Sequence, residues 1–106
     1  MSYVDKNTAI KNLSNPKDFD IFKARFLKIS ANSQEKIFNL FNENNFDDLY
    51  NFVNNIFNLS LNIGSDILYN DSKLVLDKIK TNTLSALVLD NYCETIENVT
   101  MELNRL

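Results

Sequence analysis

A chain of 106 residues with a single glycine and a single proline has few ways to turn a strand back on itself. Gly64 and Pro16 are too few to punctuate a many-stranded sheet. The economical solution is helices joined by short polar loops. Hydrophobic residues make up 44% of the chain, enough for one modest core and one domain spanning residues 1–106. The net charge of −3 argues against a nucleic-acid binder, which needs a basic face. No apolar run is long enough to span a bilayer. The opening MSYVDKNTAIKN has no apolar signal core, and Cys93 is the lone cysteine. The expectation is a cytoplasmic protein without disulfides.

The apolar spacing divides the chain into segments. Asp5 to Leu13 reads as a short helix, with Asp5 as N-cap and Ala9, Ile10 and Leu13 facing inward. Ser14-Asn15-Pro16 breaks it. Phe19, Phe22, Phe26 and Ile29 recur at helical spacing, and Ile37, Leu40 and Phe41 continue the stripe to about Asn44. Between them, Asn32-Ser-Gln-Glu35 resembles a capping box. Glu43-Asn44-Asn45 is a turn. Asn70-Asp71-Ser72 offers N-caps for a helix carrying Leu74, Val75 and Ile79, and Thr81-Asn82-Thr83 reads as a break. From about Leu84 to Arg105, Leu89, Tyr92, Ile96, Val99 and Leu103 form a bundle seam, packed within the chain or against a second copy.

Asp47 to about Ser65 carries the strongest helical pattern. Leu49, Phe52, Val53, Ile56, Leu59 and Ile63 fall within one apolar arc about 120° wide. Asn54 lies opposite that arc and is expected to face outward. Tyr50, Phe57 and Leu61 flank Asn54 as a second apolar stripe. Either neighbouring helices cover that stripe, or it is a docking patch for a partner, as grouped surface aromatics often are.

Several segments together resemble the histidine phosphotransfer family. Val4-Asp5 through Leu13 and the Phe26-Leu27 pair are similar to the family's opening helices, and Asn45-Phe46-Asp47-Asp48-Leu49 to the acidic turn before its active helix. The family's active helix runs close to L-x-x-x-A-H-x-L-K-G-x-A-x-x-L-G. Asn62-Ile63-Gly64 matches its closing N-L-G, which fixes the register and sets Asn54 where the phosphate-accepting histidine belongs. Leu74 to Ile79 resembles the helix that follows. The resemblance implies an all-α fold, an antiparallel four-helix bundle with a short additional N-terminal helix.

Three departures remove the family's chemistry. The chain has no histidine at all. Asn54 offers a carboxamide nitrogen whose lone pair is delocalised, so it cannot attack phosphorus. Phe57 stands where the family has a lysine that attracts the phosphoryl group. Asn58 stands where the family has a glycine that lets the partner approach. The resemblance therefore implies a pseudo-phosphotransfer protein, one that binds a receiver domain or a histidine kinase as decoy, adaptor or inhibitor. Pseudo-domains of this kind with asparagine in that position dampen phosphorelays by competing for partners. The partner-binding residues would be Tyr50, Asn54, Phe57, Asn58 and Leu61. A small helical inhibitor or immunity-type protein with a non-signalling target is a second reading, favoured by the changes at Phe57 and Asn58. A homodimer through the Tyr50–Phe57–Leu61 stripe is a third.

No enzyme, metal site or cofactor is expected. Without histidine, imidazole-based triads and metal sites are excluded. Asp47 and Asp48 read as acids favouring a helix N-terminus rather than as a catalytic pair. Cys93 reads as an inert small hydrophobe. Gly64 stands alone and makes no phosphate loop. The eighteen asparagines alternate with periodic Leu, Ile and Phe, unlike a prion-like tract.

Overall fold

The computed structural model describes residues 2–11, 13 and 15–106. Among these there are six α-helices and no strand: α1 (Lys6–Lys11), α2 (Asp18–Ser30), α3 (Ser33–Asn42), α4 (Phe46–Ser60), α5 (Asp66–Lys80) and α6 (Ala86–Asn104). Ser14, one of the residues expected to break the chain after the first helix, lies outside the described residues.

Asp5 starts α1 as the sequence suggests, its carboxylate accepting from the Thr8 amide at 3.2 Å and the Thr8 hydroxyl at 2.8 Å. The helix then ends at Lys11, short of Leu13. The phenylalanine stripe does not run through one helix. It is broken at Ala31–Asn32, where Asn32 adopts a left-handed φ of 58°. The expected capping box does not form there: Asn32 makes no side-chain cap to α3. A left-handed residue turns its side chain away from the N3 amide that a β-region cap would reach. The break yields one helix more than the four main ones and a short one expected.

α4 begins one residue before the acidic pair and is capped by Asn45. Its side-chain oxygen accepts from the Asp48 amide at 3.3 Å, and its amide donates to the Asp48 carboxylate at 2.8 Å. α4 closes at Ser60 rather than Ser65, because the chain turns into Gly64 at φ 78°. Ser65 then caps α5, accepting from the Leu68 amide at 3.2 Å. α5 is thus capped five residues before the first expected cap, and Asn70, Asp71 and Ser72 lie inside it. The Ser65 hydroxyl supplied the cap earlier, and the buried Leu68 anchored the first turn. Thr81–Thr83 is a break, with Asn82 at φ 57°. α6 starts at Ala86, capped by the Ser85 hydroxyl at 3.3 Å.

α4 packs against α2, α3 and α5, and α6 packs against the same three. Every core position expected in this stretch is buried: Leu49, Phe52, Val53, Ile56 and Leu59 on α4, and Ile63 in the turn beyond it. So is the whole α6 seam of Leu89, Tyr92, Ile96, Val99 and Leu103. That seam is spent inside the chain and is not a coiled-coil interface with another copy. A polar contact sits within this core, a 2.8 Å hydrogen bond between the Ser72 and Tyr92 hydroxyls that joins α5 to α6. Of the residues the sequence places on α5, Val75 is buried and Ile79 partly buried, while Leu74 is 48% exposed.

Candidate protein-docking face

The outer side of α4 presents the residues that the sequence singles out. Asn54 is partly exposed near the middle of the helix, with buried Val53 and Ile56 turned the other way. Asn58 is exposed one turn on, and Leu61, just beyond the helix, is 38% exposed. Tyr50 and Phe57 are partly buried and rest against the edge of the core. The two readings of the stripe therefore divide by residue. Leu61 and Asn58 are open to solvent, while Tyr50 and Phe57 are partly covered.

α5 does the covering. The Tyr69 ring stacks on Phe57, with centroids 4.7 Å apart and planes inclined by 26°. The Lys80 ammonium stands 5.5 Å from the centre of the Tyr50 ring, within cation–π range. Lys73 follows Tyr69 by four residues and precedes Lys80 by seven, so helical geometry puts all three on the same side of α5. Lys73 and Lys80 are both exposed. The face is therefore a seam between two antiparallel helices: Tyr50, Asn54, Phe57, Asn58 and Leu61 from α4, and Tyr69, Lys73 and Lys80 from α5. The α5 half is missed by sequence reasoning: the 69-73-80 spacing puts these residues on one side of a helix, but only the structure shows that this side meets α4.

The Asn54 carboxamide, its nitrogen lone pair delocalised, is not a nucleophile toward phosphorus, while the stacked rings and the two ammonium groups offer apolar and cationic contacts. Ser60 donates its hydroxyl to the Phe57 carbonyl at 2.6 Å, which ties down the last turn of α4 behind the stack. Asp47 and Asp48 lie in the first turn of α4, Asp48 engaged by the Asn45 cap, and so have a structural use. Cys93 is buried, and burial first, then the nearby Asp90 charge, pushes its thiol up to about 11. A thiol so rarely ionised is a poor nucleophile.

Among the described residues no group of three or more His, Cys, Asp and Glu side chains is arranged to hold a metal ion. No described helix is long and apolar enough to cross a membrane. The chain matches no family model, no curated protein and no solved structure.

Proposed function

We propose that this chain is a non-catalytic, pseudo-phosphotransfer binding protein of the cytoplasm, built as an antiparallel four-helix bundle. In that bundle α2 and α3 together make one column, and α4, α5 and α6 make the others. The packing of α4 and α6 each against α2, α3 and α5 supports this closed circuit. Its partner is a receiver domain or a histidine kinase, held on the α4–α5 face without phosphate transfer. The observation that carries the proposal is the placement of Asn54: an outward carboxamide at the middle of α4, flanked by Tyr50 and Phe57 and followed by the exposed Leu61.

The test pairs a binding measurement with a labelling one. Receiver and kinase domains from the source organism are titrated against the purified chain, then incubated with it and labelled ATP. Binding without acid-labile label on the chain is expected. Phe57→Ala should weaken that binding about thirtyfold, the effect of losing a central aromatic anchor worth about 2 kcal/mol. Label on the chain, or failure of every receiver and kinase to bind, overturns the reading. An inhibitor of a non-signalling target is the second reading. The exposed Asn58 side chain and the Phe57–Tyr69 stack favour it, since both change the face that a receiver would meet.

A further inference from the structure

The groove on the other side of α5, against α6, has features that the α4–α5 face does not explain. A cavity of about 170 Å³ opens there, lined by Asp71, Leu74, Val75, Val88, Asn91 and Tyr92. Its floor is core, since Val75 and Tyr92 are buried. Its lining includes an apolar side chain open to solvent, Leu74 at 48% exposure, and Leu87, beside the lining residue Val88 on α6, is 69% exposed.

The charges around Leu74 say what covers it. Asp71, Leu74 and Lys78 are spaced by three and four residues and so form one stripe on α5. Asp71 fixes that stripe on the α6 side, because its Oδ2 accepts from the Thr95 hydroxyl of α6 at 2.7 Å. The stripe reads acid, leucine, base. Laid antiparallel on a copy of itself, with the crossing at Leu74, it brings each Asp71 opposite the other copy's Lys78. A parallel pairing would oppose like charges. An anionic surface would meet Asp71, and a basic peptide would meet Lys78.

We propose that a second copy of this chain docks in the α5–α6 groove, as a twofold-symmetric dimer in which the two α5 helices cross antiparallel at Leu74. Such an interface is isologous: the same stripe serves both copies. Leu74 of each copy covers the cavity of the other. Asp71 keeps its Thr95 bond through Oδ2 and meets the second copy's Lys78 through Oδ1. Both charged residues are partly buried already, so the paired charges lie where water screens them less than on an open surface. The α4–α5 face stays free, which separates this dimer from one built on Tyr50, Phe57 and Leu61.

Sedimentation equilibrium from micromolar to submillimolar protein, at low and high salt, tests the proposal. The unaltered chain should dimerise, more weakly at high salt. Lys78→Asp and Asp71→Lys should each weaken dimerisation about tenfold or more, and the double charge swap should recover it. Leu74→Ser should also yield monomer, and Leu61→Ser should not. Leu74 is exposed, so its variant keeps the test decisive if Asp71→Lys unfolds through loss of the Thr95 bond. A monomer at every concentration overturns the proposal. So does a dimer that survives Leu74→Ser, or a folded double swap that stays monomeric.

Discussion

A methyl group at residue 64 has nowhere to go. Gly64 sits at φ 78°, and a Cβ there would collide with the Asp5 carbonyl oxygen and press on the Ala9 methyl. The same glycine's carbonyl accepts from the Asp5 amide at 2.8 Å. The turn after α4 is thus a socket for the start of α1. Gly64→Ala should cost more than about 1 kcal/mol, the strain of a left-handed non-glycine residue alone. Amide exchange at Asp5 should speed up with it. Loss of stability with Asp5 still protected would mean that the socket is not what the glycine serves. Two neighbours on α4 make a second contrast. Ile56→Ala empties a fully buried site and should cost about 2–5 kcal/mol in urea unfolding. Phe57→Ala removes a partly covered ring and its stack on Tyr69, a loss nearer 1 kcal/mol. Equal losses at the two sites would make Phe57 core. Tyr92 offers a pH test. Burial raises its phenol well above the usual 10, with the Ser72 hydrogen bond pulling the other way. The folded state favours the neutral ring, so this stability is complete below pH 10 and declines as the pH rises further. Alkaline unfolding should follow, and Tyr92→Phe should blunt it.

At the scale of elements, caps decide the boundaries. Ser65→Ala removes the hydroxyl that holds the Leu68 amide and should cost about 0.5–2 kcal/mol, read by urea unfolding. Asn70→Ala, within the helix, should cost far less. The interiors of α4 and α6 were legible in the sequence because core positions recur at helical spacing: five inward residues on α4, Ile63 just beyond it and five on α6 are all buried. The ends were less legible. Ser65 was hidden by a pattern that continues to Ile63, and a polar run at Asn70–Ser72 looked like a start although Leu68 was already in the core. Asn32 has the residue type of a cap but a left-handed backbone, which composition does not reveal. The outer face of α4 was legible for the same reason as its core. Its α5 half was not, because Tyr69, Lys73 and Lys80 acquire meaning only when α5 lies beside α4.

Over the whole molecule, charge is unevenly spread. α6 carries Asp90, Glu94, Glu97 and Glu102 with no lysine or arginine. α2 carries Lys23, Arg25 and Lys28 against Asp18 and Asp20. If the α4–α5 face takes a partner through Lys73 and Lys80, that partner presents acids, and its association should slow as salt rises. If the chain is the pseudo-phosphotransfer protein proposed above, gaining phosphotransfer should require changes across the whole face. Asn54→His alone is expected to accept little or no phosphate, because Phe57 supplies no cation and Asn58 crowds the approach. Asn54→His with Phe57→Lys and Asn58→Gly should do better in a labelling assay. Full transfer by the single variant would show that the other two positions do not matter.

The segment before α1 is fastened late. Asp5 is held by Gly64, and the Tyr3 amide donates to the Glu102 carboxylate at 2.6 Å. Tyr3 and Asp5 therefore leave a ribosome well before the residues that hold them. At about 5–20 residues per second, the wait for Glu102 runs from roughly five to twenty seconds. During that interval Val4 and Ala9, both buried in the finished protein, have no core to enter. A nascent chain stalled before Gly64 should expose them to chaperones and proteases, and one released past Glu102 should not.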